Sequence, residues 1–468
     1  MLRTEAGRLA IAGRVSRRGG RFLDEHHGNL VAHGVNPPAT AAFEPPVGLE
    51  LGQLAVTGGA DENREQSRVE RHETSVGAQC TSRRTRAVEA RTILRRMAFA
   101  IADLPATVTR IFGGAGRGAT ILVVRLGAMG DVVRTVPAVR LLAHRWPEAR
   151  IVWAVDAAWR VLLDGHPDIV GLIEIPRRAW GRAVHRPSSW PALARSIAAL
   201  HGTLRSWSVD LVLDFHGDLR SGSIGRLSGA PVRVGFAGHQ QKEGNWLFST
   251  HRVPSTDRRT PRLQRNLSLV RALGAPVDPL PPAALPLVAR GREAAREVLR
   301  KLGIVGPEYA IVAPGASARQ AFKKPPAESL AAACAAIERA AGTALVVWGP
   351  GEEAEARRVI ELAGASARLA PPTTLTELAA LIEGARLFVG GDSGPMHIAC
   401  AVGCPVIAIY GPTDPHVNEP WGVVHRTVFP RGREYTGIRR EDRARGFAGL
   451  DPADIARAVV DLWPAARS

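Results

Sequence analysis

The sequence predicts an α/β protein in which two doubly wound sheets face one another across a cleft, behind a disordered N-terminal extension. Three observations carry that expectation. From Thr120 onward, short apolar runs of the kind buried in parallel sheets alternate with stretches whose apolar residues recur at steps of three and four. A proline-rich break, Pro276-Val277-Asp278-Pro279-Leu280-Pro281-Pro282, divides this series into two blocks. The 468 residues are also too many for one ordinary core. The blocks read as two Rossmann-like domains, residues 119–275 and 285–468, with the final helix a candidate to pack back on the first.

Residues 1–96 stand apart. They hold arginine clusters (Arg17-Arg18, Arg83-Arg84, Arg95-Arg96), scattered Gly and Pro, and no sustained periodicity. Such a segment buries too little apolar surface to offset its chain entropy, so disorder is expected. Met97, which opens a more protein-like sequence, raises the expectation of a start site placed too far upstream, with a basic arm as the alternative.

In the first block the strands are Thr120-Ile121-Leu122-Val123-Val124, Ile151 to Val155, Leu172 to Ile175 and Leu211 to Asp214. After the first strand, Val132, Val136, Val139, Ala143 and Trp146 share one helical face, and Pro137 kinks or restarts that helix. Helices are expected over Ala157 to Leu163 and Trp190 to Trp207. In the second block the strands are Tyr309 to Ala313, Ala344 to Trp348, Arg386 to Val389 and Pro405 to Tyr410. Helices are expected near Pro326 to Ala341, Glu352 to Ala363 and Leu375 to Ile382, and at the end, where Asp451-Pro452 caps a face of Ile455, Val459 and Leu462.

The formal net charge is +17, and only four of the 61 basic residues are lysines: Lys242, Lys301, Lys323 and Lys324. A basic surface attracts nucleic acid, anionic head groups or phosphorylated substrates. No recognition helix or aromatic-basic module supports the nucleic-acid reading, so no nucleic-acid partner is expected. Cysteines 80, 334, 400 and 404 make neither a disulfide framework nor a zinc pattern, and are expected to be small buried thiols of a reduced cytoplasmic protein. No stretch approaches the ~18 apolar residues of a membrane span.

Ligand sites of open α/β sheets lie in the loops after the strands. The most informative is Gly390-Gly391-Asp392-Ser393-Gly394-Pro395-Met396-His397, a glycine-rich turn opening a helix. Its backbone N–H groups, the Ser393 hydroxyl and the His397 ring suit a phosphate. Arg125-Leu126-Gly127-Ala128-Met129-Gly130-Asp131 follows the first strand; Gly127 and Gly130 allow close backbone approach, and Asp131 is either functional or a helix cap. Lys323-Lys324 follows the turn at Gly315 and offers ammonium groups to a pyrophosphate; Glu352-Glu353 offers carboxylates to ribose hydroxyls or to a helix dipole.

Together these residues resemble glycosyltransferase family 9, the lipopolysaccharide heptosyltransferases of the GT-B fold. The resemblance spans roughly residues 119–465 and rests on Gly391-Asp392-Ser393-Gly394-Pro395-Met396-His397, Tyr410-Gly411-Pro412-Thr413-Asp414-Pro415 and Met129-Gly130-Asp131-Val132. It implies inverting, metal-independent transfer of a heptose from ADP-heptose to an anionic lipopolysaccharide core acceptor, by a cytoplasmic enzyme in transient contact with the inner face of the inner membrane. Asp131 falls on the family's catalytic base. Lys323 falls on its phosphate-binding lysine, Glu352 (with Glu353 the alternative) on its ribose-binding glutamate, and Asp392, Ser393, Gly394 and His397 on its donor-phosphate loop. Pro325 departs from the family, which usually has tryptophan before Pro326. Arg177, Arg178, Arg182 and Arg186, in what reads as a loop, together with His216 and Arg220, are candidates to hold the acceptor; Trp180 and Trp190 face sugar, membrane or core. The alternatives are a related GT-B or sugar-nucleotide enzyme with another donor or acceptor.

Overall fold

The computed structural model describes residues 101–113, 118–435 and 439–464; the basic extension expected at 1–96 and Cys80 lie outside them. The described part contains two six-stranded sheets, each wholly parallel. The first has the order β3-β2-β1-β4-β5-β6 and runs from β1 (Thr120–Val124) through β2 (Arg150–Asp156), β3 (Gly171–Ile175), β4 (Leu211–Asp214) and β5 (Val232–Phe236) to β6 (His251–Val253). The second has the order β12-β11-β10-β7-β8-β9 and runs from β7 (Tyr309–Ala313) through β8 (Thr343–Val346), β9 (Ala367–Leu369), β10 (Leu387–Gly391) and β11 (Val406–Ile409) to β12 (His425–Val428).

The two orders are the same topology repeated. In each sheet the order in which strands are added reverses at the centre, between β1 and β4 in the first and between β7 and β10 in the second. Crevices at such reversals are where open α/β sheets bind ligands. The central strands are fully buried, as continuous apolar runs require when helices cover both faces. One apolar cluster runs through both sheets and includes Val132 and Phe215 from the first with Ile311, Met396 and Tyr410 from the second.

Pro137 restarts a helix, as expected: Met129–Val133 ends, and Val136–Arg145 begins with proline in its first turn. Three expectations need correction. Residues Ala157–Leu162 form a 3-10 helix. The basic cluster after β3 does not lie in a loop: Arg177, Arg178 and Arg182 are on a helix, Arg177–Val184, and Arg186 follows it. The last helix, Pro452–Leu462, packs on Ala327–Arg339 and on β11 and β12, so it covers the second sheet; Ile455, Val459 and Leu462 are buried in that sheet's own cluster. Cys334, Cys400 and Cys404 are buried free thiols. No described helix is long and apolar enough to cross a membrane.

Candidate functional site

The loop after β1 leads into the short helix Met129–Val133, with Asp131 in its first turn. Ala128, and not Asp131, occupies the cap position. The Asp131 carboxylate instead forms two ion pairs at 2.7 Å, with Arg125 Nη2 and with Arg134 Nη2, which also donates a hydrogen bond to it, and lies 3.5 Å from Arg262 Nη1. Burial works to raise its pKa, but the charges of Arg125, Arg134 and Arg262 outweigh it and hold the carboxyl well below the usual range. Gly127 has φ near +154°, and a Cβ there would stand 2.8 Å from Trp159 Nε1 and 3.4 Å from Arg177 Nη1. Only glycine suits both constraints.

The loop after β10 is built against the loop after β7. A Cβ on Gly391 would stand 2.9 Å from the Lys323 carbonyl oxygen. Asp392 is 5% exposed; its Oδ2 accepts a hydrogen bond from Lys323 Nζ at 2.8 Å, and Oδ1 lies 3.7 Å from His397 Nε2. Burial raises the Asp392 pKa, and Lys323 and His397 override it and keep the group ionised. Asp392 therefore holds the two residues in place, since a carboxylate aimed at phosphate would repel it. Ser393 Oγ and His397 Nδ1 are buried without a hydrogen-bond partner, beside the N-terminus of the helix Gly394–Ala401.

His397 is only 2% exposed, and burial followed by the nearby Arg134 charge lowers its pKa to about 4. The ring is neutral at pH 7 and offers one N–H. An unfolded histidine titrates near ~6.5, so below that pH the unfolded chain takes up a proton that the folded ring refuses. Stability should therefore be lost as pH falls from ~6.5 towards 4, by up to about 3 kcal/mol from this ring. Urea denaturation at a series of pH values checks this; a His397→Gln variant should show a shallower slope in that window.

The two reactive loops touch. A Cβ on Gly130 would fall 2.3 Å from His397 Cδ2, and one on Gly394 would fall 2.4 Å from Met129 Sδ. The helices Met129–Val133 and Gly394–Ala401 pack together through these notches. Beside them the Arg262 backbone N–H donates to the Val417 carbonyl at 3.1 Å, and Arg259 Nε lies 3.3 Å from Asp414 Oδ2.

The structure separates two pairs that sequence reasoning left open. Lys324 pairs with Glu355, whereas Lys323 reaches Asp392. Glu353 pairs with Arg357 along its own helix. Glu352 turns back: its Oε2 accepts the Gly349 N–H at 3.0 Å and would lie 1.9 Å from a Cβ on Gly315.

Of the acceptor candidates, Arg177, His216 and Arg220 are brought together. Asp218 Oδ2 lies 2.9 Å from Arg220 Nη2 and 3.2 Å from His216 Nε2, and Arg177 Nη1 lies 3.6 Å from Asp156 Oδ2. Burial lowers the Arg177 pKa, and Arg220 and Arg319 push the same way. Arg319 belongs to the segment after β7, so charge from the second sheet meets this cluster. Arg178, Arg182 and Arg186 are exposed and make no such convergence. Trp180 packs against the apolar cluster of the first sheet and donates to Ser196 Oγ at 3.0 Å, a core role; Trp190 is 57% exposed.

Sequence reasoning assigned no role to Arg134 and Arg262, which close on Asp131 from 3 and 131 positions away. It also missed Asp214, whose carboxylate holds the turn after β4 by accepting from His216 N–H, Gly217 N–H, Ser221 Oγ and Asn245 Nδ2. Among the described residues no group of three or more His, Cys, Asp or Glu is placed to hold a metal ion.

Residues 197–445 match the family described as glycosyltransferase family 9 (heptosyltransferase). The chain is 29% identical over 344 residues to lipopolysaccharide heptosyltransferase 3 of Escherichia coli K12, covering 72% of this chain and 95% of that protein. It is 24% identical over 304 residues to heptosyltransferase 1 of the same strain, covering 64% and 91%. Among solved structures, a glycosyl transferase family 9 protein from Veillonella parvula superposes with a TM-score of 0.60 at 19% identity, over 74% of this chain and 97% of that one. An E. coli heptosyltransferase with ADP superposes with a TM-score of 0.58 at 21% identity, over 73% and 99%.

Proposed function

Because this chain belongs to glycosyltransferase family 9, we propose that it is a heptosyltransferase that moves a heptose from ADP-heptose to a hydroxyl of the lipopolysaccharide inner core, with inversion at the anomeric carbon. The observation that carries this reading is the contact between the Asp131 loop and the Lys323–Asp392–His397 loop at the centres of the two sheets. One loop offers a carboxylate that stays ionised; the other offers an ammonium group, the unpartnered Ser393 hydroxyl and His397 Nδ1, and a helix N-terminus.

In this reading residues 119–275 hold the acceptor and residues 285–468 hold the donor. The diphosphate rests on Lys323, Ser393, His397 and the amides from Gly394 onward, and Asp392 keeps Lys323 and His397 aimed. Glu352 meets the ribose hydroxyls. Asp131 takes the proton of the acceptor hydroxyl as that oxygen attacks the sugar carbon from the face opposite the departing diphosphate. Oxocarbenium-like charge on the sugar favours the same carboxylate. Lys323 and the arginines supply the positive charge that a divalent cation gives other transferases, so activity should survive EDTA. Arg177, His216 and Arg220 receive the anionic core sugars.

Such an acceptor is anchored in a bilayer, and in this reading the enzyme works at the cytoplasmic face of the inner membrane. The exposed Arg178, Arg182 and Arg186 beside exposed Val184 and Trp190 suit anionic head groups.

Transfer assays with ADP-heptose and other nucleotide sugars against lipopolysaccharide core acceptors test the activity; failure with every heptose donor overturns it. In the same assay Lys323→Ala should raise the donor KM by about tenfold, the loss of one charged hydrogen bond. The acceptor KM should move much less, and an unchanged donor KM would sink the phosphate role.

A further inference from the structure

Arg134 is 5% exposed, on the turn that ends the Asp131 helix, and only its Nη2 is engaged, in the 2.7 Å pair with Asp131. Its Nε–H and Nη1–H are buried without a partner. Its charge is felt on both sides of the site. Asp131, Arg262 and Asp392 all act on the guanidinium, and the guanidinium in turn acts on His397. The backbone beneath it is anchored, since Asn266 Nδ2 donates to the Arg134 carbonyl at 3.2 Å and to Thr135 Oγ1 at 3.1 Å. Around this point Arg125, Arg134, Arg262 and Lys323 face the two carboxylates Asp131 and Asp392, an excess of two positive charges. A buried guanidinium with two unpaired N–H groups in a cationic site is built to accept a further anion.

We propose that Arg134 is shared between the base and the leaving group: it pairs with Asp131 before transfer and turns its free N–H groups to the departing diphosphate as Asp131 is protonated. The inference rests on the reading of Asp131 as the general base. During transfer the acceptor O–H bond breaks and its proton goes to Asp131. The acceptor oxygen bonds to the sugar carbon, and the bond from that carbon to the β-phosphate oxygen breaks, with its electron pair leaving on the phosphate. One negative charge thus disappears from Asp131 and one appears on the diphosphate. A guanidinium between them follows the charge over a short path, without crossing solvent. Lys323 has no such freedom, because it is tied to Asp392, whose charge does not change in the reaction.

The test is a binding cycle with ADP on the full chain, read by calorimetry, in which Asp131→Asn stands for the protonated base. Asp131→Asn should bind ADP about tenfold more tightly than the parent chain, the effect of one added charge-assisted hydrogen bond. The double variant Asp131→Asn, Arg134→Met should lose that gain. Arg134→Lys keeps a charge but not the fork, and should keep less than half of the gain while folding as the parent does. Equal ADP affinity in the parent and Asp131→Asn overturns the proposal, as does a gain that persists without Arg134. Failure of the underlying reading looks different: transfer then survives in Asp131→Asn, or ADP does not bind the parent chain at all.

Discussion

Asp131→Asn should abolish transfer, lowering kcat by about 10²- to 10⁴-fold, the contribution of a positioned general base. The asparagine has the same shape and can still accept from one arginine, so the helix Met129–Val133 should remain formed. Donor binding should not weaken, because the donor loop is carried by the other sheet and Asp131 contributes only negative charge to it. The measurement is a single-turnover transfer assay alongside donor titration. Transfer within a few fold of the parent would remove Asp131 from the chemistry. The cage of Arg125, Arg134 and Arg262 makes this carboxylate a weak base in the free chain, always ionised yet reluctant to take a proton. That is consistent with a base that works only once an attacking oxygen is becoming acidic, late in the displacement, when the charge on the departing diphosphate draws the arginines away.

The second large effect is on stability. Asp392→Ala leaves the half-buried Lys323 without its 2.8 Å partner and the buried His397 without its nearest carboxylate. Breaking a buried pair by removing one side costs roughly 3–5 kcal/mol, because the remaining charge is neither solvated nor paired. Urea denaturation should show the midpoint falling accordingly, and donor affinity should fall with it as Lys323 loses its aim. Lys323→Ala, Asp392→Ala together should recover part of the loss, since no lone charge is then buried. A single Asp392→Ala chain as stable as the parent would mean that the pair does not hold the loop together.

Much of the fold was legible because the central strands are continuous apolar runs: β1, β4, β7 and β10 could each be read from three to five adjacent apolar residues. Of the edge strands only β3 was. β6 and β9 have three residues each, and β12 begins with His425 and Arg426, so they carry too little pattern to distinguish them from loops. The site was legible where glycine and charge coincide at a strand end, as at Asp131, Lys323 and Asp392. What the sequence could not convey is partnership. Arg262 reaches Asp131 from 131 positions away because the chain passes through five further strands before returning beside β1's loop. In a chain with so many arginines, nothing in the residue itself separates that one from its exposed neighbours. The same holds for Arg177, which converges on the site, and Arg178, one step along the helix, which faces solvent.

The paired notches at Gly130 and Gly394 bear on how the family can be recombined. Each glycine receives a large side chain from the opposite sheet, His397 in one case and Met129 in the other. The two halves therefore fit as a key fits its own lock. A hybrid enzyme that takes its acceptor half from one relative and its donor half from another will align its reactive loops only if positions 129, 130, 394 and 397 are transplanted as a set. Exchanging one side alone leaves either a collision or a gap at the point where sugar passes from donor to acceptor.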